Sequence, residues 1–491
     1  MNRLVSYEAP SGTPLRHEFK VRARIPGGAW QEIAVYEAKV DMHQVNLASM
    51  AYFDMEGTVE VEVEYTDKCV EEVMIRPLSA GVGHEKTGNV IHLTLNRPCK
   101  LSIEVNQNRF NNLHLFANPV ETDAPQPENA GVLVLKPAIH RTEDIYRLAA
   151  ELPALDDAAP RVIYFAPGMH YLEETLLKIP SNTTVYVAGG AVVVGSFVCE
   201  RVENVRICGR GILYLSEFSR FSAFRGVRIV FSRHIAVEGI ILLDPPHYSI
   251  YIGKSEQITI DNFKSFSTRG WSDGIDMMAS SDVQIRDVFL RTSDDCIAVY
   301  GSRWDYRGDT RRVSVADSIL WADVAHPLMI GTHGDHEHDG DTIEDIEFCN
   351  IDILEHHEPQ ENYWGALAIN AGDHNTVRRV TYDNIRVDDF ELGQLVDIRV
   401  VWNKDYNPAP GRCIEDVTLR NIQYRGRNTN PNRIYGYDGQ RQVSNIMFVD
   451  LMINGEVILD AAQGNFAVNE FAQNVVFKKS DENTVTGGEY K

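Results

Sequence analysis

The sequence lacks any long apolar run. No stretch approaches the roughly 20 apolar residues that span a bilayer, and the first residues, 1–8, contain no apolar segment of the kind found in a secretory signal. We therefore expect no membrane partner and a cytoplasmic location, or a secreted one if a leader peptide has been removed. A homo-oligomer is compatible with the sequence.

Cysteine pairs, nucleotide-binding loops and an excess of positive charge are missing as well. The seven cysteines are scattered, odd in number and form no Cys-x-x-Cys pair, which argues against a disulfide framework or a thiolate zinc site. No Gly-x-Gly-x-x-Gly fingerprint or Walker lysine loop is present. With 47 basic and 70 acidic residues, the net charge of −23 opposes binding to nucleic acid. We expect no cofactor and no nucleic-acid partner.

Alternation of polar and apolar residues is the main pattern of the N-terminal quarter. It is plainest at 58–65 (Thr-Val-Glu-Val-Glu-Val-Glu-Tyr), and its period of two between turn signals predicts an antiparallel β-sandwich over 1–118. The proline- and charge-rich segment 119–130 reads as a linker. A helix follows it, with Thr142 as its expected N-cap.

The remainder, 131–491, carries a repeat. A short unit with apolar residues at alternate positions and one small or polar residue before the last apolar one recurs at spacings of 23 to 37 residues. Spacings that start near a minimal coil and then lengthen are typical of a parallel β-helix, because the strands stack in register while the turns vary. The sequence thus predicts an all-β protein, a right-handed parallel β-helix preceded by an antiparallel β-sandwich. The small or polar residues that mark the repeat are Gly239, Asn262, Asp287, Ser318, Asn350, Asn384, Asn421 and Asp450.

Three aspartates and a histidine recur at about the length of one coil. Asp273 and Asp294 are 21 residues apart, and His326 follows Asp295 by 31. Residues one coil apart on a β-helix stack roughly 4.8 Å apart, so we expect the four side chains on one wall. Asp294 and Asp295 are neighbours, and they can serve one cleft only if the backbone turns or bulges there.

Such a carboxylate cluster suits acid/base chemistry. Mutual repulsion is expected to keep one carboxyl protonated near neutrality while the others stay ionised. One acid and one base are what inverting glycoside hydrolysis needs, with the groups roughly 6.5 to 9.5 Å apart. The alternative is structural, since Asp commonly caps turns, and Asp276 is assigned to that role.

At these residues the sequence resembles the polygalacturonase family of glycoside hydrolases, family 28. The resemblance covers about 162–450. The family motifs Asn-Thr-Asp, Gly/Gln-Asp-Asp and Gly-His-Gly correspond here to Trp271-Ser272-Asp273, Ser293-Asp294-Asp295 and Ala325-His326-Pro327. The N-terminal β-sandwich is also similar to the related dextranase and isopullulanase family.

The resemblance implies the residue roles. Asp294 would be the general acid, Asp273 and Asp295 would activate water, and His326 would support the acid. The family's Arg-Ile-Lys would fall near 367–370, where this sequence has no Arg or Lys. Both a pectin-type galacturonan and a neutral α-glycan therefore stand as substrates.

Six further residues are candidates for binding the oligosaccharide or polysaccharide. Aromatic rings stack on sugars, the histidines lie in polar loops, and the asparagine occupies the place of the missing cation. These residues are His247, Trp271, Trp304, His333, Trp364 and Asn370.

Three alternatives stay open beside the hydrolase. The loop 333–339 (His-Gly-Asp-His-Glu-His-Asp) has residue types that bind metals, but without a clear ligand pattern, so no metal is assigned. A non-catalytic carbohydrate-binding or adhesion β-helix would use the aspartates only as caps. A polysaccharide lyase could share the fold, since fold alone does not fix function.

Overall fold

The first eleven strands form two facing sheets at the N-terminus. The computed structural model describes residues 2–152, 160–220, 222 and 225–480. One sheet contains β1, β4, β5, β7, β10 and β11, and the other contains β2, β3, β6, β8 and β9. The strands are β1 Arg3–Val5, β2 Phe19–Arg24, β3 Gln31–Ile33, β4 Val35–Val40, β5 Asn46–Glu56, β6 Val59–Tyr65, β7 Val73–Arg76, β8 His84–Thr87, β9 Val90–Leu95, β10 Cys99–Val105 and β11 Leu113–Pro119.

The alternating sequence produces the core between these two sheets. Along β6 the odd positions, from Val59 to Tyr65, are buried while the glutamates between them are half-buried, and the buried side chains of both sheets form one apolar cluster. The predicted β-sandwich is therefore confirmed. One pairing departs from an antiparallel arrangement, because β11 runs parallel to β5.

The later strands form the parallel β-helix, in which strands pair in parallel with the equivalent strand of the next coil. They are β12 Val132–Leu135, β13 Ala138–His140, β14 Arg161–Phe165, β15 Gly168–Lys178, β16 Thr183–Val187, β17 Ala191–Glu200, β18 Glu203–Gly209, β19 Ile212–Tyr214, β20 Val227–Val230, β21 Arg233–Glu238, β22 Ile241–Leu243, β23 Ile250–Gly253, β24 Glu256–Asp261, β25 Lys264–Phe266, β26 Ile275–Met278, β27 Ser281–Arg286, β28 Phe289–Thr292, β29 Ile297–Tyr300, β30 Thr310–Ala322, β31 Leu328–Gly331, β32 Thr342–Glu355, β33 Leu367–Ala371, β34 Thr376–Val387, β35 Val396–Val400, β36 Cys413–Tyr424, β37 Asn432–Tyr435, β38 Val443–Val449, β39 Met452–Ile453, β40 Glu456–Val457, β41 Phe466–Val468 and β42 Ala472–Lys478. The short strands β39 and β40 are an exception, because they pair with each other antiparallel.

Helical structure is minor in the described part of the chain. It comprises α1 at Thr142–Glu151 and two single 3-10 turns, Leu78–Ala80 and Glu361–Tyr363. The all-β class and the right-handed parallel β-helix are thus as predicted. The helix boundary is off by one residue, because Arg141 is the N-cap and makes no side-chain capping bond. Among the described residues, no helix is both long and apolar enough to cross a membrane.

The repeat marked in the sequence is a corner in the left-handed conformation. All but one of the eight marker residues have positive φ, with Asn350 at 53°, Asn384 at 56° and Asn421 at 54°, and at Ser318 the preceding Asp317 takes this conformation instead. Glycine, Asn and Asp are the residues that adopt it at least cost. In addition, the Asn384 side-chain amide donates to Asn350 Oδ1 of the preceding coil at 3.1 Å. The marker therefore sets both the turn and the register.

By internal packing the chain divides into two units. The first is Met1–Asp276, Ile285–Cys296 and Ile319–Val324, and the second is Met277–Gln284, Ile297–Ser318 and Ala325–Lys491. The first unit contains the sandwich, whose last strand ends at Pro119, and the β-helix begins at Val132. The domain limits 1–118, 119–130 and 131–491 stay a prediction.

Apolar residues stack inside each unit. In the second unit Ile351, Ile385 and Ile422 lie in register on three successive coils and are all fully buried. In the first unit a second apolar cluster joins the outer face of the sandwich, including Tyr52 and Phe116, to Phe266 and Phe289 of the β-helix. The sandwich therefore packs directly on the strands that carry Phe266 and Phe289.

We expect Asn384→Ala to destabilise the fold more than Asn384→Gly. Both changes remove the bond to Asn350, but only alanine is strained at this positive φ, by about 1–2 kcal/mol. The two variants and the wild type would be compared by urea unfolding. Equal stability of the alanine and glycine variants would contradict the account of the corner.

Candidate active site

Three aspartates come together in the first unit. Asp273 lies in the turn between β25 and β26, and Asp294 and Asp295 lie between β28 and β29. One carboxylate oxygen from each lies within 4.8 Å of the others. Asp273 and Asp295 are 3% exposed, whereas Asp294 is half-buried. The clustering that the one-coil spacing predicts is present for the three aspartates.

The backbone bends between Asp294 and Asp295, as two neighbours serving one cleft require. Residues 293 and 294 form a bend after β28, and the Asp295 N–H donates to Asp294 Oδ1 at 3.1 Å. Successive coils meet here, because the Gly274 N–H donates to the Asp295 carbonyl at 2.8 Å. A Cβ at Gly274 would overlap the Cys296 carbonyl oxygen, so glycine permits this close approach.

The turn that carries Asp273 also holds Asp294. Within the turn the Ser272 N–H donates to the Arg269 carbonyl at 3.1 Å, and the Arg269 N–H donates to Ser272 Oγ at 3.2 Å. Trp271, at a φ of 65°, directs its N–H to Asp294 Oδ2 at 2.9 Å. One carboxylate is thus positioned by the backbone of the neighbouring turn.

Buried hydroxyl groups connect the two turns. Ser267 Oγ donates to the Ser272 carbonyl at 2.7 Å and accepts from the Ser293 N–H at 3.0 Å. Thr292 Oγ1 donates to the Asp294 carbonyl at 2.6 Å. Because buried polar groups are costly when unsatisfied, this network restricts both turns to one arrangement.

Asp244 supports the same turn from the preceding coil. Its Oδ1 accepts from the N–H and the hydroxyl of Thr268, at 3.3 and 2.9 Å, and its Oδ2 accepts from Arg269 at 3.1 Å and from Ser216 at 2.8 Å. Lys39 of the sandwich reaches Ser216 Oγ at 2.6 Å. Asp244 therefore acts as a buried anchor for the Asp273 turn.

An aromatic and cationic rim lies beside Asp294. Trp271 is 51% exposed, and its ring lies 6.2 Å from the ring of His247. The Arg220 guanidinium lies 4.7 Å from the Trp271 ring centre. Of the residues predicted to bind sugar, Trp271 is thus hydrogen-bonded to Asp294 through its backbone, and His247 is a neighbour of Trp271. Arg220 was missed because its sequence position shows no motif.

His326 lies in the second unit, fully buried. Its Nε2–H donates to the Tyr363 carbonyl, and its ring meets the Tyr363 ring edge-on at 4.5 Å and stacks on His356 at 6.0 Å. His356 Nδ1–H donates to the Ala325 carbonyl at 2.7 Å, and its Nε2 accepts from the Gly365 N–H at 3.2 Å. The support of Asp294 by His326 stays a prediction.

The other predicted binding residues also belong to the second unit. Trp304 is exposed beside Arg303, 4.6 Å from its ring, and Trp364 Nε1–H donates to the Glu358 carbonyl at 2.8 Å. Burial, and then the charge of Arg303, lower the pKa of His333 well below its usual value, so this ring is neutral near pH 7.

The Asn370 side chain is buried and hydrogen-bonded to two neighbouring residues. Its amide donates to Asp397 Oδ2 at 3.1 Å, and its Oδ1 accepts from Arg399 at 3.2 Å. Asp397 also binds Arg433 at 3.0 Å. The cations absent from β33 thus occur on β35 and β37, and the family motif, which falls on a single coil, gives no sign of them.

The three aspartates also lie close enough together to bind a metal ion. Among the described residues, the three aspartates form the group of at least three His, Cys, Asp or Glu side chains close enough to share an ion. The loop 333–339 is held by hydrogen bonds within the loop and to residues outside it. His338 lies 3.0 Å from Asp335, and the Asp335 N–H donates to Asp341 at 2.8 Å.

Comparisons with known proteins identify the family of this chain. A family model described as "Glycosyl hydrolases family 28" matches residues 222–468. A polygalacturonase of Juniperus ashei is 23% identical over 206 residues, covering 40% of this chain and 36% of the relative. Endopolygalacturonase A of Aspergillus niger is 26% identical over 200 residues, covering 38% and 48%. The matched segment spans less than half the length of these curated relatives.

Solved structures support the fold over more of the chain. Dex49A from Penicillium minioluteum matches with a TM-score of 0.64 at 14% identity, covering 96% of each chain. The exopolygalacturonase of Thermotoga maritima matches with a TM-score of 0.53 at 13% identity, covering 70% of this chain and 92% of that one. These likenesses concern the fold.

We expect His356→Gln to cost less stability at pH 5 than at pH 7. Burial, and then neighbouring His326, lower the pKa of His356 from 6.5 to about 3, so between these values only the unfolded state takes up the proton. Wild-type stability from this group is therefore lost as pH falls below 6.5. The loss of unfolding free energy caused by His356→Gln should therefore be about 2 kcal/mol smaller at pH 5 than at pH 7.

Urea unfolding at both pH values would measure the difference. His338→Gln is the control of opposite sign, because Asp335 raises the pKa of His338 and its substitution should cost more at the lower pH. A His356→Gln cost that grows from pH 7 to pH 5 would contradict a neutral buried His356.

Proposed function

This chain belongs to glycosyl hydrolase family 28, and on that premise we propose that it hydrolyses O-glycosidic bonds of a galacturonan-type oligosaccharide or polysaccharide. The observation that carries the proposal is the cluster of Asp273, Asp294 and Asp295 within 4.8 Å of one another. Caps of turns need no such convergence, whereas acid/base cleavage does. The relatives named polygalacturonase support the substrate class.

The three aspartates differ in exposure, and this difference suggests different catalytic roles for Asp294 and for the other two. The general acid must reach the glycosidic oxygen, and Asp294 is the least buried of the three. Asp273 and Asp295 are the buried carboxylates suited to hold and activate water. We assign His326 as support for the acid, as the family resemblance implies, and Trp304, His333 and Trp364 as sugar-binding residues. Asn370 is left out of this set because its buried side chain is hydrogen-bonded to Asp397 and Arg399.

Arg220 favours an acidic sugar. A guanidinium beside an exposed tryptophan can bind a sugar carboxylate while the ring binds an apolar face of the sugar, and Trp271 is bonded directly to Asp294. The positive charge of Arg220 attracts an anionic substrate, although the chain as a whole carries a net charge of −23. A neutral α-glycan has no carboxylate to pair with it.

The family resemblance and the observed separation of the carboxylates favour different stereochemical outcomes. The family resemblance implies inversion, which typically needs carboxyl groups roughly 6.5 to 9.5 Å apart. One oxygen of each carboxylate lies within 4.8 Å of one oxygen of the others, and this close approach is nearer to the roughly 5–5.5 Å of retaining enzymes. We propose inversion, and proton NMR of the anomer formed first would distinguish the two outcomes.

We expect Asp294→Asn to lower kcat by a factor on the order of 10² or more, because the amide cannot donate the proton. The measurement is reducing-sugar release from oligogalacturonides, with α-glucan and galactan oligosaccharides in parallel. Asp282→Asn, which makes the same change in a surface ion pair with Arg312, is the control and should keep wild-type activity.

Full activity of folded Asp294→Asn would contradict the assignment. Glycan binding without release of reducing ends by the wild type would favour the adhesion alternative. An unsaturated product absorbing in the ultraviolet would favour a lyase.

We expect Arg220→Gln to lower kcat/KM for oligogalacturonides about tenfold, since a charge-assisted hydrogen bond contributes roughly 1.5–3 kcal/mol. Cleavage of any neutral glycan should change little. Arg233→Gln, in a surface pair with Glu203, is the matched control. An equal loss on charged and neutral substrates would show that Arg220 does not read the carboxylate.

A further inference from the structure

A fully buried arginine joins the sandwich to the aspartate bend. We propose that Arg291 is a positioning residue, through which the N-terminal sandwich holds the bend that carries Asp294 and Asp295. The effect on catalysis rests on the proposed hydrolase function, while the effect on the bend does not. Arg291 belongs to β28 and is 0% exposed, the only described Arg, Lys or Glu with this burial apart from Lys264.

Each guanidinium N–H of Arg291 has an acceptor. Nε donates to Asp323 Oδ2 at 2.9 Å and Nη2 to Asp323 Oδ1 at 3.1 Å, a bidentate pair within the β-helix. The remaining donors go to the sandwich. They reach Asn112 Oδ1 at 2.9 Å, His114 Nε2 at 3.0 Å and the Arg109 carbonyl at 3.1 Å. The planar guanidinium is thus hydrogen-bonded to five acceptor atoms, and it can make all five bonds only when the sandwich and the β-helix keep one relative position.

The sandwich side of this contact is itself fixed. Asn112 Nδ2–H donates to Ser102 Oγ of β10 at 2.8 Å. His114 must accept at Nε2, because arginine only donates, and so its proton is on Nδ1. Burial, and then the charges of Arg291 and Arg76, keep the pKa of His114 well below its usual value. The acceptor is therefore present throughout the neutral pH range.

A second contact confines the guanidinium plane. It lies 4.1 Å from the ring centre of Trp321, while Arg76 of β7 lies 4.7 Å from the same ring. Trp321 Nε1–H donates to Asp323 Oδ1 at 2.8 Å. A guanidinium held by this stack and a bidentate carboxylate has almost no rotational freedom.

The bend at 293 and 294 begins two residues after Arg291, directly after the end of β28 at Thr292. The Thr292 carbonyl accepts from the Asp323 N–H at 2.9 Å, and Thr292 Oγ1 donates to the Asp294 carbonyl at 2.6 Å. Asp323 therefore binds both the Arg291 side chain and the first peptide of the bend. A shift of the Arg291 plane is transmitted over two residues to the carboxylates.

Energetics favour positioning over simple adhesion between the sandwich and the β-helix. Burying a charge is expensive even when it is paired, and an apolar residue of similar volume often gives equal or greater stability. The surrounding contact already has an apolar cluster that includes Phe116 and Phe289. The five fixed N–H donors of Arg291 add a defined register between the sandwich and the β-helix.

An ion pair between the sandwich and the β-helix provides a control for the Arg291 contact. Lys100 of the sandwich is bonded to Asp287, which lies at a corner between β27 and β28 rather than at the bend. Lys100→Ala therefore breaks a partly buried contact of the sandwich with the β-helix without touching the Arg291 network. A residue that only helped docking would behave like Lys100.

The test uses the full-length chain with Asn112→Ala, Asn112→Asp and Lys100→Ala. Amide hydrogen exchange of the peptide covering 292–296 measures the bend, and kcat, KM and the pH profile on oligogalacturonides measure catalysis. We expect Asn112→Ala to speed exchange of this peptide about tenfold and to lower kcat about tenfold with KM within twofold. Asn112→Asp, which keeps the acceptor, should restore both, and Lys100→Ala should leave both within twofold.

Equal effects of Asn112→Ala and Lys100→Ala, or an unchanged peptide in Asn112→Ala, would overturn the proposal. If Asn112→Ala does not fold, Asn112→Ser gives the same comparison with a shorter acceptor. If the wild type hydrolyses no substrate, the proposed function fails, while the exchange data still decide whether Arg291 holds the bend.

Discussion

Parallel pairing between successive coils is the interaction on which the site depends. The Gly274 N–H bonded to the Asp295 carbonyl fixes the distance between two turns that lie 21 residues apart in sequence. Side chains at equivalent points then converge because rungs repeat every 4.8 Å or so. The corners with positive φ, such as Asn384, keep this register from coil to coil. The hydrogen bonds between successive coils therefore position the three carboxylates together.

Polar groups buried around the turns refine that placement. Ser267 and Thr292 connect the two turns, Asp244 anchors the turn of Asp273, and Arg291 ties the bend of Asp294 to the sandwich. Each of these groups is satisfied only in one arrangement, and buried polar groups left unsatisfied are costly. The sandwich is therefore more than an appended domain, since it supplies acceptors to the strand that leads into the site.

Much of this could be predicted because it has a periodic signature. The alternation of β6, the corner residues and the spacing of Asp273 from Asp294 are all visible along the chain, and the bend at Asp294 follows from strand geometry. Arg291 and Arg220 could not be found this way. Their partners lie on elements about 180 and 50 residues away, or in another turn, and no short spacing records such contacts.

The sequence by itself determined the solenoid, the sandwich before it and the convergence of three carboxylates, because these follow from period and composition. Only the tertiary structure decided that Asp294 is the exposed member, that Asn370 is occupied by Asp397 and Arg399, and that the sandwich reaches the bend through Arg291. The physical reason is that repeats are local and recur along the chain, whereas burial and side-chain partners depend on packing between segments far apart in sequence.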